Sequence, residues 1–424
     1  MIGILFITLI IMLIIGVPVG FSIGISGMAF ILFEGFPSMS IIAQKMVESV
    51  NSFPLLALPL FMLSGEIMSY GSTPRLMRLA NMLIGKIPGG LGATGAITAG
   101  FFGAISGSGV ATTAAVGGIM APEMVDKGYG KGFTASLLSG AGSLGIVIPP
   151  SLSMVIYAAT GGTSLGDLFL AGFIPGILSV FALVLLSVFI GKKRGYTGVQ
   201  EDLSRSDTLK VWLDALLPLL MPIIIIGGVL SGTVTPTESA AVAVFYSFIL
   251  AVFVYKELKL KDIVKICTKS AVSSSIILFI MAAAGPFGWL MATQNVPQLF
   301  ASTLLGITSN PIVILLLIMF LLLFLGTFME TNSVIILLTP MLLPVVTSLG
   351  IDPIHFGVIM ILNLAIGGTT PPLAVCLFTT TRILNIKIED TFPDVLYVVG
   401  VMTIVLILVT LIPDLALFLP KVLN

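Results

Sequence analysis

Between Lys86 and Glu123 the chain carries no charged residue, yet the centre of that stretch reads SGSGVATTAAVGG, Ser106 to Gly118. Glycine, serine and threonine at this density do not make a plain apolar helix. In lipid, every unpaired peptide group costs several kcal/mol, so irregular backbone at that depth must be buried in protein or line a cavity. The premise that the surroundings are lipid rests on composition. The 424 residues are 57% hydrophobic and 9% charged, with a mean hydropathy of +1.18, whereas soluble domains carry about 25% charged residues. An all-α, polytopic membrane protein follows. Lys and Arg total 19, as do Asp and Glu, so net charge points to neither nucleic acid nor an acidic partner. Cys267 and Cys376 have neither metal-ligand nor disulfide-framework spacing and read as core packing. The apolar N-terminus has no basic flank and no small-residue cleavage site, so it reads as a retained membrane segment. The longest polar connection, 191–210, is an interfacial arm at most, so any soluble component of the system is expected on another chain.

The two Pro-Pro pairs, in GIVIPPS and GGTTPPL, organise the rest. Pro149 lies 27 residues after Pro122 and Pro371 lies 27 after Pro344; Gly145 and Gly367 each stand four residues before a pair; Asp167 and Glu389 each follow by eighteen. One offset of 222 residues covers all four features, and Pro18 and Pro236 give a weaker match at 218. The set argues for an internal duplication hinged at GKKRGYTGVQEDLSRSDTLK. Topology follows from Lys and Arg near helix ends, which favour the cytoplasm. Lys192, Lys193 and Arg194 place the hinge inside, and Lys256, Lys259, Lys261, Lys265 and Lys269 place a second loop inside. The loop equivalent to this second one in the first half holds only Lys45. Conversely, Arg75, Arg78 and Lys86 correspond to an uncharged loop, VPQLFASTLLGITSN. Opposite bias in equivalent loops means inverted halves, a hallmark of secondary transporters.

The resulting layout has a first repeat over 1–190, a cytoplasmic connector over 191–210 and a second repeat over 211–424. Each repeat has about five helices plus one re-entrant hairpin. The first contains scaffold helices within 1–72, the last of them one helix at about 48–72. A hairpin at 88–125, a broken helix at 132–160 and a helix at 167–190 follow. The second contains scaffold helices within 211–293, a hairpin at 310–348, a broken helix at 355–380 and one last helix at 393–418.

Hairpin tips and Pro-Pro breaks are the places where backbone leaves helical geometry at membrane depth. Proline inside a helix frees a carbonyl, and freed carbonyls beside Ser, Thr and Asn oxygens are hard ligands suited to Na⁺. The half-helices after each break present positive ends suited to an anion. Each feature also has a packing reading, since Gly and Ser in membrane helices often serve only close approach. Two tips and two breaks in register weigh against packing alone. Glu330, in METNS, is the first charge after sixty uncharged residues, Ser270 to Met329. It marks function at membrane depth, or else it is a solvated cap of the following helix; Asn332 and Ser333 share its tip. Glu238 in TPTES reads as a helix cap, Asp167 and Glu389 as helix starts, and His355, the sole histidine, as a structural residue at a loop edge. The first-half core from Ile87 to Pro122 has no ionisable acid, base or histidine, which favours Na⁺ over H⁺ as coupling ion.

These same residues carry a family resemblance. GVPVGFSIG, FPLLALPLFMLSGEIM, GGLGATGAITAGFFGAISGSGVATTAAVG, GSLGIVIPPS, VTPTESAA and GGTTPP occur in an order and spacing that resemble the large membrane subunit of tripartite ATP-independent periplasmic (TRAP) transporters, over essentially the full length. The resemblance implies an elevator-type fold related to divalent-anion/Na⁺ symporters. It implies two partners, a small membrane subunit, expected here as a separate chain, and a periplasmic substrate-binding protein. It further implies a carboxylate substrate, sialic acid first and C4-dicarboxylate next, two or more Na⁺ ions per cycle, and an inner-membrane location. By motif position, one Na⁺ site is expected from Ser106, Ser108, Gly145, Val147 and Pro149, and a second from Gly326, Gly367 and Thr370. Substrate contacts are expected from Glu330, Asn332, Ser333, Thr112 and Ser151. Many members carry an acid just after the first tip, where this chain has Thr112-Thr113, so that role is unfilled or moved. No catalytic residue is expected. The rivals are a stand-alone Na⁺/dicarboxylate symporter, a passive channel, and an intramembrane hydrolase built around His355.

Overall fold

The computed structural model describes residues 2–35, 38–198, 204–308 and 310–423; the middle of the expected connector, 199–203, lies outside them. Among the described residues the chain is all α-helical, without strands. Among the described residues, seven helices are long and apolar enough to cross a membrane, or eight if one bent pair counts as a single span. Phe189, Phe245 and Phe320 stand 64%, 67% and 72% exposed. In water such side chains would mark a sticky surface; around a membrane protein they face lipid.

The first half opens with α1 (Ile2–Ile14) and α2 (Val19–Glu34). The single helix expected over 48–72 is a correction: α3 (Ser40–Val50) and α4 (Ala57–Met68) meet at 66°, around a 3₁₀ turn at Phe53–Leu56. Ser52 leads from extended backbone (φ −129°, ψ 128°) into the turn, and Pro54 in the turn's first positions has no N–H with which to continue α3. Then come α5 (Ser72–Ile84), α6 (Gly90–Ser106), α7 (Gly109–Asp126), α8 (Lys131–Ser143), a 3₁₀ turn at Leu144–Ile146, α9 (Leu152–Gly161) and α10 (Leu165–Arg194).

The second half runs through α11 (Arg205–Leu230), α12 (Pro236–Ile249), α13 (Leu260–Thr293), α14 (Val296–Ile307), α15 (Pro311–Phe328), α16 (Thr331–Ser348), α17 (Pro353–Gly367), α18 (Val375–Leu384), α19 (Asp394–Leu411) and α20 (Asp414–Leu423). As the sequence suggested, Thr235 and Glu238 form a reciprocal cap at the start of α12. Two readings change. The segment taken as a loop, VPQLFASTLLGITSN, is mostly α14, with Pro297 in its first turn, where a missing N–H is harmless. The expected last helix is two, because Pro413 forces Ile412 to φ −121° and ψ 84°.

Helices α2, α3, α4, α12 and α13 pack on one another, while α6, α7 and α8 pack with α18 in a second group. Helices α10 and α19 join this second group: α10 packs on α6, α8 and α17, and α19 on α8 and α17. The Arg194 guanidinium donates to Asp394, one bond at 3.0 Å, tying the end of α10 to the start of α19. His355 is not at a loop edge but buried in the first turn of α17, its Nε2 2.8 Å from the Val409 carbonyl. That contact is structural, as the sequence favoured. Cys376 is buried as expected, but Cys267 is exposed on α13, because neighbouring Lys265 and Lys269 belong to the same outward-facing run.

One glycine fixes how the hairpin of the first half enters. Gly89 has φ +73°, and a Cβ there would lie 2.2 Å from the Ser187 carbonyl oxygen; the Ser187 hydroxyl in turn donates to the Gly89 carbonyl at 2.8 Å. Backbone thus meets backbone where α6 begins against α10. Gly89→Ala is expected to destabilise the fold by about 1–3 kcal/mol, the range for overpacking a tight contact. A thermal melt of the purified protein in detergent checks this, and an unchanged midpoint would count against the contact.

Candidate functional site

Helices α6 and α7 turn back on each other at Gly107, the first hairpin tip. Gly107 has φ +62°, a conformation L side chains rarely adopt, and a Cβ there would meet the Pro150 oxygen at 2.9 Å. The backbone beyond the first break closes the gap: the Leu152 N–H donates to the Gly107 carbonyl at 3.1 Å. One turn back, a Cβ on Gly103 would lie 2.8 Å from the Gly145 Cα. Tip and break are in contact at glycine distance. The Ser108 hydroxyl accepts from Ala111 N–H and caps α7. The Ser106 and Thr112 hydroxyls are 2.7 Å apart, and a Cβ on Gly145 would sit 2.5 Å from Thr112 Oγ1 and 2.8 Å from the Ser108 carbonyl oxygen. Four oxygen-bearing or backbone-exposing residues therefore crowd one spot.

The second half repeats the arrangement. A Cβ on Gly367 would lie 2.7–2.9 Å from the Gly326 backbone, and the Leu373 N–H donates to the Thr327 carbonyl at 3.0 Å. Glu330 lies 222 residues beyond Ser108 and performs the same service, its carboxylate accepting from the Ser333 N–H at 3.0 Å and so capping α16. It also accepts from Asn332 Nδ2 at 2.9 Å. The Pro149–Pro150 and Pro371–Pro372 peptides are both cis.

The halves interlock. The half-helix after each break packs on the hairpin of the other half, α9 on α16 and α18 on α7. The Ser153 hydroxyl donates to Asn332 Oδ1 at 2.8 Å, joining α9 to the second tip. Between them lies a cavity of about 60 Å³, lined by Ser108 from the first tip, Glu330 and Asn332 from the second, Ser143 and Ser153 from the first broken helix, and Cys376 from the second. The first turns of α9 and α18 both face it, so two helix N-termini converge on one polar space, an arrangement suited to negative charge. Sixty cubic ångströms holds only a few waters, so anything larger enters by displacing a tip. A crevice of about 700 Å³ lies on the other side of the first tip, against α4 and α13. Ser108, Val110 and Leu152 line both spaces and form the wall between them.

The residues singled out from sequence fall as follows. Ser106, Ser108 and Gly145 are brought together, with Thr112 completing the cluster through its bond to Ser106. Val147 is close in sequence, but its carbonyl lies against Gly172 of α10, where a Cβ would meet it at 2.8 Å. Pro149 sits in the break itself. Gly326 and Gly367 touch, and Thr370 donates its N–H to the Gly367 carbonyl at 3.0 Å and its hydroxyl to the Ile366 carbonyl. Glu330 and Asn332 line the cavity, whereas Ser333 is buried behind Glu330 and Ser151 is occupied in capping α9. The capping alternative for Glu330 is therefore real, and it coexists with exposure to the cavity. Ser143, Ser153 and Cys376 were not singled out as site residues. Ser153 follows two residues after Ser151 in a helix start, which was the available signal; nothing in the sequence pairs Ser143 or Cys376 with a tip.

Residues 6–415 match the family model described as the tripartite ATP-independent periplasmic transporter, DctM component. The chain is 40% identical over 407 residues to the sialic acid TRAP transporter large permease protein SiaM of Vibrio cholerae, covering 96% of this chain and 95% of that protein. It is equally identical to the isethionate TRAP transporter permease protein DctMQ of Oleidesulfovibrio alaskensis, spanning 96% of this chain but 64% of that longer protein. Identity is 38% to the C4-dicarboxylate large permease DctM of Pseudomonas aeruginosa, over 94% of each chain. Among solved structures, the Alcanivorax borkumensis YdaH transporter superposes with a TM-score of 0.58 at 14% identity, covering 87% of this chain and 86% of its own, which speaks to fold alone. The chain belongs to the DctM component family of the tripartite ATP-independent periplasmic transporters, multi-pass membrane permeases rather than enzymes.

Proposed function

We propose that the chain imports an organic acid anion with Na⁺, receiving it from a periplasmic binding protein and working with a small membrane subunit in the bacterial inner membrane. The observation that supports this best is the convergence of both tips, both breaks and two half-helix N-termini on one polar cavity. The Ser106–Ser108–Gly145 cluster, joined by Thr112 and with Pro149 in the adjoining break, forms one candidate Na⁺ site; Gly326, Gly367 and Thr370 form the other. Each pairs a hairpin with a break, so a cation held by oxygens from both would draw the tip shut. The anion then sits between the helix N-termini, with the remaining Nδ2 proton of Asn332 as a neutral donor. Glu330 beside it disfavours a second negative charge unless Na⁺ is present, which couples anion binding to the cation. The two inverted halves would let the hairpin body, with α10 and α19, slide as an elevator against α2–α4 and α12–α13. Sialic acid is the favoured substrate and a C4-dicarboxylate the next, in keeping with the relatives' names; isethionate adds a sulfonate to the same chemical class.

Proteoliposomes containing the chain, its small subunit and its binding protein provide the test. Uptake of N-acetylneuraminate, succinate or isethionate should require Na⁺ outside and disappear when choline replaces it; equal uptake in choline would overturn the coupling. Uptake that persists without binding protein would point instead to a stand-alone symporter.

The glycine seams give a sharper expectation. In Gly367→Ala and Gly145→Ala a methyl group must part the tip from the break. The Na⁺ concentration for half-maximal uptake should rise about tenfold, the equivalent of about 1.4 kcal/mol and within the range for overpacking. Gly118→Ala, whose added Cβ would meet nothing within 4 Å, should leave it unchanged.

A further inference from the structure

The crevice beside the first tip contains an ion pair that the site described above does not use. Gly65 of α4 lies against the tip so closely that a Cβ there would be 3.1 Å from both the Cα and the carbonyl oxygen of Ser106. The next residue, Glu66, projects into the crevice and holds the Lys269 ammonium of α13 at 2.8 Å. The two partners differ in exposure: the Lys269 side chain is 62% exposed and that of Glu66 22%. Ser69, just past the end of α4, donates its hydroxyl to the Glu66 carbonyl at 2.7 Å, and Ser273 lies one turn along α13 from Lys269; both line the same space. A pair so exposed is worth about 0–1 kcal/mol, so a free carboxylate competes with Glu66 on nearly equal terms. The space, about 700 Å³, lies within the range of small-molecule sites. It is separated from the central cavity only by Ser108, Val110 and Leu152, and the lysine run ending at Lys269 places it on the cytoplasmic side.

We propose that this crevice is a second, transient anion site on the release path, where Lys269 exchanges Glu66 for the carboxylate or sulfonate of the departing substrate, with Ser273 as a neutral donor. Glu66 then reclaims the ammonium and expels the anion, which keeps the site from trapping its cargo. The inference rests on the import reading above. It differs from a structural staple in the sign of its consequences: a staple is broken equally by removing either partner, whereas an exchange site gains affinity when Glu66 is neutralised and loses it when Lys269 is.

Two measurements test this. In proteoliposomes taking up whichever of N-acetylneuraminate, succinate or isethionate the unaltered protein accepts, the same anion loaded inside should inhibit uptake. The internal concentration that halves uptake should fall about threefold in Glu66→Gln and rise about threefold in Lys269→Gln, the scale of an exposed ion pair. Lys269→Arg should retain the original value. The second needs no transport. With Cys267 replaced by serine, Ser273→Cys is modified by a sulfonate-bearing thiosulfonate reagent and by a neutral one of similar size. Their rate ratio should rise with Glu66→Gln and fall with Lys269→Gln. Shifts of the same sign in both variants, or restoration by the charge-exchanged pair Glu66→Lys with Lys269→Glu, would identify a staple and overturn the proposal. Loss of Na⁺ dependence with the opposite shifts intact would sink the coupling reading and leave this one standing.

Discussion

The structure depends on how peptide groups are satisfied where helices stop in the middle of a membrane. Water is absent there, and an orphaned N–H or C=O costs several kcal/mol. This chain meets the cost by setting each hairpin tip against the break of its own half. The Leu152 N–H finds Gly107 and the Leu373 N–H finds Thr327; Ser108 and Glu330 cap the returning arms with their side chains. Irregular backbone is therefore kept in pairs, each tip partly satisfying a break. What the pairing leaves over is weighted towards carbonyl oxygen, because the two prolines of each break carry acceptors and no N–H donors. A cation is the natural complement to such a surplus.

Glycine makes the pairing geometrically available. Oxygens from two chain segments can share one small ion only if the segments approach to backbone distance. Gly103 against Gly145 and Gly326 against Gly367 provide that approach in the two halves. The density of glycine that reads as low-complexity packing in the sequence is thus what lets tip and break meet. Packing and function were posed as alternatives for these residues; the geometry shows close packing that also brings oxygens of two chain segments together.

Much of this was legible because the period and the punctuation of the sequence are strong. Apolar runs with sparse charges announced the long helices, and the 222-residue offset between Pro-Pro pairs located both breaks. What escaped was decided by tertiary contact. Pro54 bends α3 from α4, but proline in an apolar run is also common inside helices such as α7 and α16. The α14 segment carries no charge and no clear break, so nothing set it apart from a loop. Cys267 looked like any apolar-segment cysteine until the exposed lysine face of α13 was placed. Ser153 and Cys376 reach the cavity because each half-helix packs on the other half's hairpin, an exchange that no local pattern encodes.

The same exchange ties together two tips that lie far apart in sequence. Ser153 belongs to the first half and donates to Asn332 in the second; Asn332 donates to Glu330, and Glu330 caps α16. A displacement of the second tip therefore breaks a bond held by the first half's broken helix. Likewise α18 packs on α7, the returning arm of the first hairpin, and its Thr380 hydroxyl donates to the Ala135 carbonyl of α8 at 3.0 Å. Each hairpin thus rests on the half-helix that follows the break of the opposite half. The cavity sits where all four elements cross, and its lining draws on both tips and both half-helices. A displacement at either tip is thereby felt at a wall that the two halves share.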